Sequence, residues 1–513
     1  MAVACGESFT TVVAERGDVW AFGRGDHGQL GLGTDEDQLL PALLGKGGDV
    51  YDGEAVVLIA AGFAHTACVT AKGTLWSWGD GGDGRLGHGD REPRQRPVRL
   101  GKERFGGSPA VMVACGGAHT LVLTAAGFVW SCGYGRYGRL GHGDEADKLV
   151  LTCVGAVEFR GAHIVMVAAG GHHSVTLGID GRVWTWGFGD SGQLGHNNRE
   201  NRLVPTLLAS GASGRAAVVL VAAGGEHTVA VTIKGELWVC GHGGFGQLGL
   251  GDRVNRLAPT LVGAEAVFGG SEVLTIACGG AHSLAVTKDG TLWTFGEGEY
   301  GELGHNDRKD RLVPTRIDTQ HFGNGNIVSA AAGRRHSAAV TNQGALYTWG
   351  KAPGLGHANK QPKLLPTHIA PHLLQGARVG RCHRLLPLHA LAFSMGTHAR
   401  LGSADETAPG AADATVCTYL MMPGELVRQL VEACGSWPEG RAGELEGVVR
   451  LLGGGRLLLN LKTDAFTDAL TERRGGMKRW FGMLLTILVC IALGLFQSWA
   501  MGGQEQQHEQ EEM

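Results

Sequence analysis

The chain has 513 residues, a formal net charge of −4 at pH 7 and 87 glycines. Glycine is far above its usual ~7% yet shows no G-X-Y period, and an apolar share of 43% is ordinary, which excludes collagen and disorder. The near-neutral charge gives no case for nucleic acid, and 11 cysteines without a C-x-x-C pair read as reduced, buried thiols in a reducing compartment.

At this length the chain holds two or three domains, or one large repeat domain with appendages. Its first elements are two short apolar runs parted by a glycine turn, "VACGESFTTVV", followed by the aromatic phrase "WAFGRGDHGQLG" at Trp20. That pair then returns along the chain. The aromatic phrase recurs at Trp76, Trp130, Trp184, Trp238 and Trp293, and in a shortened copy at Tyr347, at intervals of 54 to 56 residues. Ahead of each lies a sister phrase such as "VACGGAHTLVLTAAG" (113–127). Each unit reads as two short strands, a turn, an aromatic strand, a glycine loop and a Pro-bearing edge strand. Four strands in ~54 residues cannot bury both faces alone, so radial stacking into a propeller is the expected architecture.

Six of the seven aromatic phrases contain G-x-G-x-x-G, as in "GYGRYGRLG" with Gly133, Gly135 and Gly138. That spacing is the dinucleotide fingerprint, but the fingerprint needs a helix after its last glycine. Here a Pro-containing segment follows each copy, and no protein binds six dinucleotides through six identical turns. The glycines are read as structural, and no cofactor is expected.

His65, His119, His173, His227, His282 and His336 share one slot, Phe9 holds it in the first unit, and His389 fits it in a closing half-copy (386–402). One histidine per blade cannot form a single active site or metal site, so each is expected to bond its neighbouring turn. The W-x-W pairs, Trp76 with Trp78 and Trp184 with Trp186, alternate along one strand and are assigned to packing between blades. No nucleophile with a positioned base and no paired carboxylates emerge, so the chain is read as non-enzymatic.

The paired phrases A-[AC]-G-x-x-H-[ST] and W-x-[WFC]-G-x-G-x-x-G-[QRE]-L-G resemble those of the regulator of chromosome condensation family, over residues 3 to about 400. The resemblance implies an all-β, seven-bladed propeller over 1–402, closed by strands from both chain ends sharing a blade. It implies protein partners, and three roles follow. One is an interaction platform; another is guanine-nucleotide exchange on a small GTPase such as Ran, as in the founding member. The third is substrate recognition for a separate ubiquitin ligase. The founding member exchanges nucleotide with a β-wedge, for which these even unit lengths leave no obvious room. Its basic N-terminal tail for chromatin has no counterpart, and nucleic acid or chromatin is not an expected partner. The family's light-sensing plant member carries tryptophans just before the repeated histidine. Those slots here hold Phe63-Ala64, Gly117-Ala118, Gly171-His172 and Arg334-Arg335.

The clearest departure between units is "REPRQRPVRLGKERFGG" (91–107), read as a loop with Arg91, Arg94, Arg96, Arg99, Lys102 and Arg104 as a candidate docking patch for an acidic partner surface or anionic lipid head groups. Arg334 and Arg335 are a second candidate. Beyond the propeller, 403–416 reads as a linker and 417–475 as a short helical region, with helices expected over 422–434 and 443–455. Residues 480–500, "WFGMLLTILVCIALGLFQSWA", carry no charge and are long enough to span ~30 Å of hydrocarbon. Trp480 and Trp499 mark the ends of this span, Arg473, Arg474, Lys478 and Arg479 precede it, and an acidic tail (501–513) follows. Positive charge on the N-terminal flank places the propeller in the cytosol. With no signal-peptide features at the start, the expectation is a tail-anchored protein with its propeller on the cytosolic face of a membrane.

Overall fold

Alternating apolar runs with β-branched residues become strands because the pleat presents successive side chains to opposite faces. In the third unit Ala110–Cys115 turns at Gly116 into His119–Thr124, which pairs antiparallel with Val129–Gly133 in the register His119↔Gly133 to Leu123↔Val129. The glycine loop then leads to Lys148–Cys153 on the outer edge. Pro205, Pro259 and Pro314 fall in the equivalent outer strands Arg202–Leu207, Arg256–Leu261 and Arg311–Arg316, where a missing N–H costs no ladder bond.

The computed structural model describes residues 3–374 apart from 15, 45–48, 156, 210–215 and 264–266, together with 417–421, 449–452 and 456–460. Its first part contains seven such four-stranded sheets, at 3–43, 56–100, 110–153, 164–207, 218–261, 273–316 and 327–368, numbered here as blades 1 to 7. The ends of the first strands surround the central axis. Second strands are central in each sheet and covered by both neighbouring blades, so His65–Thr70 and His119–Thr124 are buried along their whole length.

The core is a set of clusters between adjacent blades. Phe9, Leu30, Tyr51, Trp76 and Trp78 fill the space between blades 1 and 2, and Leu121, Phe159, Trp184 and Trp186 that between blades 3 and 4. Each fully buried tryptophan contributes on the order of 2 kcal/mol or more over an exposed one. The W-x-W pairs therefore pack between blades, as their alternation predicts. Cys5, Cys68, Cys115, Cys132 and Cys240 are buried free thiols within this packing.

The ring closes differently from the family's expected shared blade. Every blade takes its four strands from one continuous stretch, and closure is a contact between two complete blades. Val3, Val12 and Phe22 of blade 1 form one cluster with Ala338, Val340 and Leu346 of blade 7. Arg334 N–H donates to Gly6 O at 3.3 Å and Ala358 N–H to Leu39 O at 3.0 Å, while Lys360 pairs with Asp37 at 3.1 Å. The half-copy at 386–402, including His389, lies outside the described residues.

The chain divides into two compact units, and the described strands beyond the propeller form one three-stranded sheet. Arg456–Asn460 pairs antiparallel with Cys417–Met421 and borders Val449–Leu452. Within the helix expected over 443–455, the described residues 449–452 are a strand instead. "VRLL" and "RLLLN" flank three consecutive glycines, which oppose a helix and favour a turn between strands. Among the described residues no helix is long and apolar enough to cross a membrane. The linker, the segments 422–434 and 480–500, the flanking Arg473, Arg474, Lys478, Arg479, Trp480 and Trp499, and the acidic tail lie outside them.

Candidate protein-docking face

Antiparallel order places the turn after the first strand and the loop after the third at the same end of each blade. Seven turns and seven glycine loops thus share one face, with the turns around the axial opening. Four turns place glycine at the mouth, Gly117, Gly171, Gly225 and Gly280, whereas Glu7, Phe63 and Arg334 hold the other positions there. Amides circle the axis from blade to blade: Gly117 N–H donates to Gly170 O at 3.2 Å, Gly171 to Gly224 O at 3.0 Å and Gly225 to Gly279 O at 3.0 Å. A Cβ on Gly117 would sit 2.5 Å from Gly171 O, so glycine permits this approach.

The repeated histidines form a second ring just outside the first. His65 Nε2 lies 2.9 Å from Thr120 Oγ1, His119 3.0 Å from Ser174 Oγ, His173 2.8 Å from Thr228 Oγ1, His227 2.9 Å from Ser283 Oγ and His282 2.9 Å from Ser337 Oγ. His336 reaches Thr10 Oγ1 at 3.0 Å. The expected bond to a neighbouring turn is thus corrected: the partner is a hydroxyl of the next blade, because the ring edge bearing Nδ1 is wedged against the glycine of its own turn. Each hydroxyl spends its proton on a carbonyl, Thr120 on Arg85 O at 2.7 Å and Ser174 on Arg139 O at 2.7 Å. It therefore accepts from the imidazole, and every ring is neutral with its proton on Nε2. Burial pushes His65, His173, His227 and His282 down to about 3 and His336 to about 4.

Tryptophans serve the same scaffold. Trp78 donates its indole N–H to Gln29 O at 3.0 Å, Trp186 to Arg139 O at 2.9 Å and Trp349 to Glu302 O at 2.8 Å, always across a blade junction. Trp20, Trp76, Trp130, Trp184 and Trp238 bury their indole nitrogens without a partner, and Trp293 Nε1 lies 3.4 Å from Thr287 Oγ1.

Departures from symmetry accumulate in particular sectors of this face. Arg334 pairs with Glu7 across the closing junction. Arg335 donates to Tyr300 Oη at 2.9 Å with its guanidinium 4.4 Å from the ring centroid, and Lys351 lies 4.7 Å from the same ring. Beneath them Glu302 is fully buried, accepts from Tyr300 N–H at 2.7 Å and leaves its other oxygen unpaired. Burial pushes its carboxyl up to about 8 and also raises that of Glu297 nearby. In blades 3 and 4, Tyr137 packs 4.7 Å from Phe188 and 6.3 Å from His172, beside Arg136 and Arg139. Residues of these sectors were legible only as variation within the aromatic phrase, tyrosine at Tyr134 and Tyr137 where blade 2 has aspartate, and glutamate at Glu302 where blades 1, 4 and 5 have glutamine.

The basic segment at 91–107 lies elsewhere, along the rim. Its main part is the outer strand Arg94–Leu100 of blade 2, followed by a short turn of helix at Lys102–Phe105, rather than a free loop. Arg91 pairs with Asp147 at 2.8 Å, Arg94 with Asp90 at 2.6 Å, and Arg99 loosely with Asp52 at 3.8 Å. Arg104 donates to His88 O at 3.3 Å. Arg96 lies over Gly33 of blade 1, and it and Lys102 are exposed. The structure does not bring this strand together with Arg334, at the axial opening, or with Arg335, on the Tyr300 ring; both belong to blade 7.

The RCC1-like domain family matches residues 1–267 and 106–436. The ultraviolet-B receptor UVR8 of Arabidopsis thaliana is 38% identical over 61% of this chain and 70% of its own length. RUG3, a mitochondrial RCC1 domain-containing protein of Arabidopsis thaliana, is 30% identical over 72% of this chain and 87% of its own. The human E3 ubiquitin-protein ligase HERC2 is 32% identical over 75% of this chain, which spans 8% of HERC2. Among solved structures, Prp20p of Saccharomyces cerevisiae superposes with a TM-score of 0.61 and 25% identity over 69% of this chain and 86% of that one. Repeats, closed ring and relatives agree: the chain belongs to the RCC1-like domain family.

Proposed function

We propose that this chain is a protein-interaction platform whose partner docks on the turn-and-loop face and which residues 480–500 hold at a membrane. One observation carries the docking reading. The contacts that join blades repeat almost unchanged around the ring, whereas the exposed and half-exposed positions on one face vary from blade to blade and hold Arg136, Tyr137, Phe188, Arg334 and Arg335 in blades 3, 4 and 7. Scaffolding needs uniform junctions; recognition needs local difference, and aromatic and arginine side chains are the usual anchors of protein interfaces. The exposed Arg96, Arg99 and Lys102 on the rim offer a second contact surface. Replacing all three by glutamate tests it, and partner binding unchanged by that reversal removes the rim from the reading.

A second reading is guanine-nucleotide exchange, supported by the likeness to Prp20p, whose structure is described together with binding to Gsp1p and histones. The deciding experiment is capture with the full chain in neutral detergent, using purified small GTPases loaded with nucleotide or stripped by EDTA. A GTPase held only when stripped, with nucleotide release accelerated by catalytic amounts of the chain, establishes exchange. Partners that bind regardless of nucleotide leave the platform reading. For the membrane, alkaline extraction of the full chain and of a chain ending at residue 479 decides: both appearing in the soluble fraction removes the anchor.

A further inference from the structure

Two blades carry an arginine at the same buried loop position, and only one has its counter-charge. In blade 2, "GDGGDGRLG", Arg85 is held by Asp80 at 2.9 Å and Asp83 at 3.0 Å. In blade 3, "GYGRYGRLG", tyrosines stand at both aspartate positions and Arg139 is 1% exposed. The two loops share one conformation. Asp83 and Tyr137 have φ of 60° and 65°, the next glycines 80° and 75°, and each arginine Nε donates to the carbonyl three residues back, at 2.9 and 3.0 Å. What differs is the side chains around the arginine: two carboxylates in blade 2, and two phenol rings with Arg136 in place of Gly82 in blade 3.

Arg139 makes do with dipoles and rings. Its Nη1 donates to Gly171 O at 3.4 Å, and its guanidinium lies 5.1 Å from the Tyr134 ring and 5.7 Å from that of Tyr137. Arg136, on the exposed tip, stacks on the outer face of Tyr137 at 4.7 Å. Among the described residues neither arginine forms an ion pair. Asp83 and Glu145 act on them only through space, and Glu226, across the junction, is engaged by Ser191 at 2.8 Å. A guanidinium removed from water without a carboxylate is a costly arrangement, and burial lowers the Arg139 pKa to about 10. The surrounding Tyr134, Tyr137, His172 and Phe188 give it a half-exposed aromatic rim.

We propose that the blade 3 loop is a receptor for an acidic side chain of a partner protein, which supplies to Arg136 and Arg139 the carboxylate that Asp80 and Asp83 supply to Arg85. The inference rests on the platform reading and names the chemistry of the partner's contact. A carboxylate is chosen over a phosphate because the same backbone is filled by carboxylates one blade away.

The test titrates fluorescein-labelled hexaglutamate, hexaglutamine and inorganic phosphate against the full chain in neutral detergent at low salt, read by anisotropy and competition. Hexaglutamate should bind and hexaglutamine should not. Tyr134→Asp combined with Tyr137→Asp builds the blade 2 pair into blade 3 and should weaken hexaglutamate binding about tenfold or more, the size of one charge-assisted contact. Unchanged or raised thermal stability in that variant excludes misfolding, and Arg136→Gln, at the exposed tip, should weaken binding without touching the core. The reciprocal Asp80→Tyr with Asp83→Tyr should raise the stoichiometry. Hexaglutamate binding indifferent to the Tyr→Asp pair, or phosphate displacing it equally in both proteins, overturns the receptor. Loss of hexaglutamate binding with capture of a folded partner intact leaves the platform standing and rejects this loop as its contact.

Discussion

His336 Nε2 lies 3.0 Å from Thr10 Oγ1, and this bond joins the last blade to the first. Thr10 in turn donates to Gly354 O at 2.7 Å, so one hydroxyl of blade 1 makes two bonds to blade 7. The corresponding bond is missing between blades 1 and 2, because Phe9 stands where the others have histidine. The closure between chain ends is thus stitched like the interior junctions, and the exceptional junction is an interior one with an apolar contact in place of the bond.

Thr10→Val keeps the shape and removes the hydroxyl. It strands a buried imidazole N–H and a carbonyl, and should cost about 1–3 kcal/mol of stability. Thr66→Val, next to Phe9, should cost less, since Thr66 has only the Gln29 O bond, at 2.8 Å, to lose. Urea unfolding of the two variants compares them; equal losses remove the special role of the closing hydroxyl.

The buried histidines make the fold acid-sensitive. They stay neutral in the folded state down to about 3 or 4, while unfolded histidine protonates near 6.5. Below 6.5 the unfolded chain therefore binds more protons, and stability falls as pH drops. At about pH 5.5 each loses on the order of 1 kcal/mol, and the histidines act together. Thermal melts from pH 8 to 5 should show a steep fall beginning near 6.5, and His119→Gln should make it shallower.

Glu302 works in the opposite direction. Its folded carboxyl is raised from 4.5 to about 8, so the folded state holds the extra proton and stability falls as pH rises across that window. Gln29, Gln193 and Gln247 hold the same position in other blades, each accepting one backbone N–H at 2.8 to 3.0 Å. Glu302→Gln should therefore stabilise the chain at pH 8 by about 1–3 kcal/mol, with the gain fading toward pH 5. A gain independent of pH contradicts a proton-linked cause.

The glycine loop is limited by space. A Cβ on Gly135 would lie 2.2 Å from Ala146 O, so Gly135→Ala should cost about 1–3 kcal/mol through forced backbone displacement. Gly107 has nothing within 4 Å of its would-be Cβ and a φ of 72°, so Gly107→Ala should cost only the left-handed backbone term, about 1 kcal/mol. Chemical denaturation of both variants separates crowding from conformation.

What the sequence determined by itself was the repeat and its consequences: strand order, a propeller of seven units, tryptophans between blades and glycines in tight turns. These are legible because period and alternation are local and recur at ~54-residue spacing, which averages away single-unit noise. Tertiary structure decided what depends on neighbours. The histidine partner lies some 55 residues on in the next blade, and nothing at the histidine itself indicates that hydroxyl. Closure between two whole blades required seeing Val3 against Ala338. The segment at 91–107 read as a loop because its charges hide an edge strand, which alternation cannot betray when both faces are wet. "VRLLGGGRLLLN" carries no period that separates a short helix from two strands, and pairing with Cys417–Met421 settled it. Arg139 and Glu302 stood in view as charges in a slot that holds glutamine in blades 1, 4 and 5, but only burial turns a changed letter into an unpaired charge, because desolvation is a property of the surroundings.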